Sequence, residues 1–262
     1  MNLQGHKKRV VVAAVVLPIL VFLIVKLPPY FFLGLLVAVN TVGMWEFLRM
    51  YKTPVGWIIL GVIFSLIIFL LNCLNPQNAI HYYAIIFMAV TVIRLLSKKS
   101  PYMALNDISP LIVGLLYIPT LVSFQWFLRE YGWQWIIYLY GVVWTADSFA
   151  YYIGKGFGNR KLYPEVSPKK TWAGAYGSLL GGGIASVILG YFLLNKALLN
   201  LAVMGVLIGF VSIFGDLVES MFKRDAGVKD SSFLFPEHGG ILDKIDAILF
   251  AGVLVYFGVR FI

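Results

Sequence analysis

Cysteine is almost missing from this chain: Cys73 stands alone, which rules out an internal disulfide and any metal cage built on thiolates. Charge is scarce as well. Only 13% of the 262 residues are Asp, Glu, Lys or Arg, against roughly 25% in an ordinary soluble domain. No run of Ser, Gly or Pro is long enough to serve as a linker, and no internal repeat is visible, so residues 1–262 are expected to form a single integral membrane domain. Apolar residues fill the space instead, at 60% of the chain and a mean hydropathy of +0.86. A bilayer core of ~30 Å needs about 20 helical residues. About nine apolar runs approach that length, near 10–26, 29–48, 55–72, 79–96, 108–128, 133–153, 172–195, 198–215 and 240–260. The expected fold is therefore all-α, a polytopic bundle of about nine transmembrane helices.

The first run follows His6, Lys7, Lys8 and Arg9 and has the look of a secretion signal, but no small-x-small cleavage site precedes the next span. It is read as a retained membrane helix. Orientation follows from the basic residues, because cytoplasmic loops retain Lys and Arg. With the N-terminus in the cytoplasm and the C-terminus outside, only Lys26, Arg129, Lys196 and Arg260 fall on the outer side. The net charge of +9 is thus concentrated on one face, where it would attract anionic head groups or a polyanionic substrate. The acids share the bias, with Glu130 alone outside, although acids contribute little to orientation. Something on the inner face uses carboxylates.

The two halves differ. Residues 1–130 hold few polar groups within their spans and read as scaffold with possible dimer contacts. Asn40 reads as helix-packing polar glue, and Glu46 is expected to pair with Arg49 at i+3. Residues 131–262 hold the informative helices and cytoplasmic loops, and are where any catalytic helices are expected. Asp147 falls inside the sixth run, where an acid needs a partner, a cation or a wet cavity. The loop that follows alternates Gly154, Gly156 and Gly158 with basic residues. No strand precedes it, which excludes a dinucleotide-binding fold. Ser167 and Pro168 fit an N-cap and first helical position, gathering Lys169 and Lys170 at a helix start, a geometry that binds anions. Gly181, Gly182 and Gly183 are expected to permit close helix packing.

The densest charge lies in SMFKRDAGVKDSSFLFPEHGGILDKID, Ser220 to Asp246. If the eighth helix continues past its apolar run, Asp216, Glu219, Ser220 and Lys223 share one side of it, and Asp243 and Asp246 share a face of the ninth. Asp216, Asp243 and Asp246 offer oxygen-only ligands, which suit Mg2+ or a similar hard cation. Gly239 and Gly240 are expected to present helix-start amides to a phosphate, with Lys223, Arg224, Lys229 and Lys244 as counter-charge. His238 either donates to a phosphate oxygen or caps the turn.

This segment resembles the phosphatidate cytidylyltransferase (CDP-diacylglycerol synthase) family. The pattern is carried by Ser220, Lys223, Arg224, Lys229, Asp230, His238, Gly239, Gly240, Asp243, Lys244 and Asp246, and by the earlier DSFAYYIGKGFG and SPKKTWAG stretches. Lys244 stands where the family usually has Arg, keeping the charge but not the planar fork. The resemblance implies transfer of a cytidylyl group from CTP to phosphatidic acid, with release of pyrophosphate, at the cytoplasmic face of an inner membrane. On that footing Asp216, Asp243 and Asp246 hold Mg2+, with a second monovalent or divalent cation possible. Asp147, Lys223, Asp243 and His238 are catalytic candidates. Ser167, Lys169, Lys170, Ser220, Arg224, Lys229, Asp230, Gly239, Gly240 and Lys244 are substrate contacts. The implied partners are CTP, phosphatidic acid, the bilayer and a second copy of the chain as a homodimer, with no nucleic acid. Two other readings compete: a CTP-using enzyme for another lipid phosphate or lipid alcohol, and an ion-coupled transporter relaying protons through Asp147, Asp216 and Asp246. The transporter reading predicts inverted repeats, which the sequence does not display.

Overall fold

The computed structural model describes residues 17–98, 100–232, 234 and 239–261. The start of the first expected span, with Lys7, Lys8 and Arg9, and also His238, lie outside the described residues. Nine α-helices run through the described ones: α1 (Leu17–Lys26), α2 (Pro29–Met50), α3 (Val55–Leu74), α4 (Ala79–Ser97), α5 (Ala104–Glu130), α6 (Trp133–Phe157), α7 (Trp172–Leu194), α8 (Leu198–Asp225) and α9 (Leu242–Gly258). The all-α expectation holds apart from one antiparallel hairpin, β1 (Lys161–Tyr163) against β2 (Ser167–Thr171). Among the described residues, six helices are long and apolar enough to cross a membrane: α2, α3, α4 together with the 3-10 turn before it, α5, α7 and α8. α9 is 17 residues long, and α6 has the length but is diluted by tyrosines and Asp147.

The hairpin corrects one expectation. Ser167 and Pro168 do not start a helix; they lie in β2, and α7 begins four residues later at Trp172. Thr171 is its cap, its hydroxyl accepting from the Gly174 amide at 3.2 Å. The threonine was hidden in the sequence because Ser-Pro gave the stronger local signal for the same role.

Short connections make successive helices alternate in direction, and contacts identify the two ends. At one end Tyr51 donates to Asp225 at 2.9 Å, and Arg224 donates to the Val166 carbonyl at 3.2 Å. At the other, Arg129 donates to the Ile24 carbonyl at 3.4 Å and Asn200 to that of Phe261 at 3.3 Å. The long loops 98–103, 158–171 and 226–241 therefore share one end of the bundle. There the buried Arg94 binds Asp107 at 2.7 Å and donates to the carbonyls of Lys98, Ser100 and Tyr102, closing the α4–α5 loop.

Inside the bundle, α7 packs against both α6 and α8, and α9 is held against α5 and α8. The α7–α8 contact is nearly backbone on backbone. A Cβ on Gly182 would stand 2.4 Å from the Gly205 carbonyl oxygen, and one on Gly205 only 2.3 Å from that of Gly182. The expectation that the Gly181–Gly183 run serves packing is thereby met at Gly182. Asn40 likewise acts as polar glue, accepting from Ser65 of α3 at 3.0 Å. Because neither backbone can yield cheaply at the glycine crossing, Gly182→Val is expected to cost about 2–3 kcal/mol. A lowered thermal midpoint in detergent, read by size-exclusion, checks this; an unchanged midpoint contradicts it.

Candidate functional site

The polar end of the bundle is assembled from residues of α2, α6, α8 and α9, the β1–β2 hairpin and the loop between α8 and α9. Helix α8 continues past Asp216 as expected, so Asp216, Glu219, Ser220 and Lys223 occupy successive turns. Ser220 donates to Asp216 Oδ1 at 3.2 Å. Lys170, at the end of β2, reaches the other oxygen of Asp216 at 2.7 Å. The hairpin thus brings a lysine onto an α8 carboxylate 46 positions away in sequence.

Helix α9 meets α8 where Gly215 leaves room: a Cβ there would be 2.6 Å from the Asp246 carbonyl oxygen. That approach sets Asp246 beside Asp216. Asp147, on α6, is within electrostatic reach of Asp216, Asp246 and Lys170. Three carboxyl groups therefore converge from three helices, with Lys170 acting on Asp216 and Asp147 and Lys223 on Asp246.

Asp243 behaves differently from Asp246, although the two were expected to face one ion. Its Oδ1 is paired with the Lys223 ammonium at 2.5 Å, and Lys223 is also paired with Glu219. Its Oδ2 accepts from the Ser231 amide at 3.0 Å, the Ser231 hydroxyl at 2.9 Å and the Gly240 amide at 2.8 Å. Both oxygens are occupied by donors of the protein itself. The amides at the start of α9 are occupied too. Gly240 donates to Asp243, and Ile241 and Leu242 each donate to Glu46 at 3.0 Å, so these groups do not face an open phosphate site as the sequence led us to expect. Gly239 has φ +77°, a left-handed conformation that favours glycine. Gly240 is required by space: an added Cβ would meet Ser231 Oγ at 2.1 Å and the Glu46 carboxylate at 2.4 Å.

Glu46 corrects a further expectation. It does not pair with Arg49, whose guanidinium lies over the Trp45 ring at 4.9 Å. Arg224 is exposed, and its Nε and Nη1 donate to the Val166 and Val228 carbonyls at 3.2 and 3.0 Å, tying the hairpin turn to the loop after α8. Lys169, Lys229, Asp230 and Lys244 are exposed on the rim, and Ser167 is half-buried in β2. Sequence reasoning missed Tyr117. Its ring packs edge-on against Phe222, and its buried hydroxyl, without a hydrogen-bond partner among the described residues, is within reach of the Asp246, Glu219 and Asp216 charges.

The fit of a divalent cation can be judged from these groups. Among the described residues no three acidic or imidazole side chains are already gathered tightly enough to cage an ion. The donor set is nonetheless of the right kind: Asp147, Asp216 and Asp246 bring three carboxyl groups within reach of Lys170 and Lys223, and the Tyr117 hydroxyl is an orphaned polar atom within reach of Asp216 and Asp246. Mg2+ keeps several waters and typically takes one or two carboxylates along with substrate phosphates, so a loose carboxylate cluster suits it better than a closed cage.

Residues 7–262 match the model of the cytidylyltransferase family. The chain is 35% identical to a protein of Pseudomonas aeruginosa named phosphatidate cytidylyltransferase, over 92% of each sequence. It is 30% identical to the protein of that name in Haemophilus influenzae, covering 92% of this chain and 94% of the relative. A chloroplast protein of Arabidopsis thaliana, phosphatidate cytidylyltransferase 5, is 48% identical over 121 residues, or 46% of this chain and 30% of its own length.

Proposed function

The chain belongs to the cytidylyltransferase family, and we propose that it transfers the cytidylyl group of CTP to phosphatidic acid, giving CDP-diacylglycerol and pyrophosphate. The observation that carries this reading is the coexistence, at one end of an apolar bundle, of a carboxylate cluster with a rim of exposed lysines. That is what a water-soluble polyphosphate and a membrane-bound phosphate both require.

In the reaction a phosphatidate oxygen forms a bond to the α-phosphorus of CTP while the bond to the departing pyrophosphate oxygen breaks. The attacking phosphate already carries negative charge near neutral pH, since its second pKa is about 6, so no side chain need remove a proton. The protein's task is to hold two anions together and to offset the charge that develops on the leaving group. Lys170 is placed to do this once it leaves Asp216 for a phosphate oxygen, with Lys169, Lys229 and Lys244 lowering the cost of approach from the rim. Lys223, clamped between Glu219 and Asp243, is a fixed positive charge. Asp147, Asp216 and Asp246 are the groups we propose to hold Mg2+, with Tyr117 beside them. When bound, the ion would supply Lewis-acid neutralisation of the triphosphate. Asp243, the third expected ligand, is better suited to organising Lys223 and the loop.

We further propose that all nine helices cross the membrane, with the charged end at the cytoplasmic side of a bacterial inner membrane, as the basic residues indicate. The homodimer and the second cation belong to the same proposal. The gathering of charge at one end, rather than along the spans, supports an enzyme over an ion-coupled transporter. Purified protein in detergent, given CTP and phosphatidate with Mg2+, is expected to release pyrophosphate and form CDP-diacylglycerol, and EDTA is expected to stop both. Folded protein that turns over neither substrate would overturn the reading.

A further inference from the structure

Glu46 lies in the half of the chain that reads as scaffold, yet it is 0% exposed and its carboxylate is saturated from the catalytic half. Oε1 accepts from the Ser232 hydroxyl at 2.5 Å and the Ile241 amide at 3.0 Å; Oε2 accepts from the Ser231 hydroxyl at 3.1 Å and the Leu242 amide at 3.0 Å. None of the four donors is a cation. Such an arrangement is costly to leave partly made.

The donors come from two places in the connection between α8 and α9. Ser231 and Ser232 lie inside the 226–241 loop, whereas Ile241 closes it and Leu242 opens α9. One side chain from α2 therefore ties the middle of this loop to the start of α9. The same Ser231 hydroxyl lies within 2.9 Å of Asp243, and the Ser231 amide donates to Asp243 as well. Its single proton serves one carboxylate at a time, which couples Glu46 to the Asp243–Lys223 pair.

We propose that Glu46 is a positioning residue for the reaction: by fixing Ser231 and the first residues of α9 it holds Asp243 on Lys223 and the exposed Lys229 at the rim of the site. It touches no substrate and acts through the loop. The proposal rests on the functional reading above, but its loop component stands apart from catalysis and can be tested without turnover.

The test uses the full-length protein in detergent and compares Glu46→Gln, which turns one acceptor oxygen into a donor facing two donors, with Ser232→Ala, which removes a single donor, and with Ser65→Ala. The last, on α3, removes a buried polar contact to Asn40 of the helix that carries Glu46 and touches none of the loop's bonds. Glu46→Gln is expected to lower kcat about 10- to 100-fold, the size of a lost charge-assisted hydrogen bond, with a smaller change in KM for CTP. Trypsin cleavage after Lys229 is expected to accelerate in the same variant without substrates present. Ser232→Ala should show both effects in weaker form, and Ser65→Ala should lower the thermal midpoint while leaving cleavage and kcat alone. If cleavage after Lys229 is unchanged in both Glu46→Gln and Ser232→Ala, or if their kcat falls only in step with the fraction unfolded, the positioning role is overturned. Should Glu46→Gln not fold, Ser232→Ala decides on the same two readouts. Absence of turnover in the unmodified protein would instead count against the enzymatic reading.

Discussion

Asp243→Asn is expected to cut turnover by about two to four orders of magnitude, the kinetic equivalent of the ~3–5 kcal/mol attached to breaking a buried ion pair, while the protein remains folded and membrane-inserted. The reason lies in how the charges are shared. Lys223 is paired with both Asp243 and Glu219, so the ammonium does not become an orphan when Asp243 loses its charge. Folding is protected by that redundancy. Function is not. Asparagine has one acceptor oxygen where the aspartate uses two, against Lys223 on one side and Ser231 and Gly240 on the other. Either the lysine shifts to Glu219 or the loop start is released. CTP-dependent turnover, measured beside the elution profile and thermal midpoint, checks both parts. Near-normal turnover would show that neither the Lys223 position nor the loop matters to the chemistry.

Asp216→Asn and Asp246→Asn are expected to lower turnover by about 100- to 1000-fold at a Mg2+ concentration that saturates the unmodified protein, a few kcal/mol of lost charge stabilisation. The two should differ in detail. Asp216 is engaged by Lys170 and Ser220, so its replacement also frees a lysine and should raise KM for CTP. Asp246 makes no direct ion pair among the described residues, Lys223 acting on it only at longer range, and its replacement should chiefly raise the Mg2+ concentration needed for half-maximal rate. A titration of rate against Mg2+ for each variant separates these outcomes. If the midpoint does not move in either and the rate survives, the carboxylate cluster does not hold the ion.

Much of the fold was legible because bilayer length and apolar runs impose a simple period on the sequence, and the α8 extension followed from Asp216, Glu219, Ser220 and Lys223 falling on one side of a helix. What escaped were choices made by tertiary contact. The local spacing of Glu46 and Arg49 offered a partner three residues away, whereas the structure supplies four donors from about 190 positions further on. Local sequence carries no trace of such a distant competitor. Asp243 and Asp246 share a helix, yet the Ser231–Gly240 loop captures one, while the close approach of α9 to α8 at Gly215 sets the other beside Asp216. The Ser-Pro pair was misread for a similar reason: a helix start and a strand start look alike until a pairing partner, here β1, is known. Tyr117 left no local signal at all, since a tyrosine in an apolar helix is ordinary until its hydroxyl is found beside three acids.

The lone thiol offers a practical handle. Cys73 is partly accessible near the end of α3 that points away from the loops 98–103, 158–171 and 226–241. An impermeant maleimide applied to sealed, oriented vesicles would therefore tag the pole remote from the carboxylates and, with no other sulfhydryl to remove first, would report which compartment that pole faces.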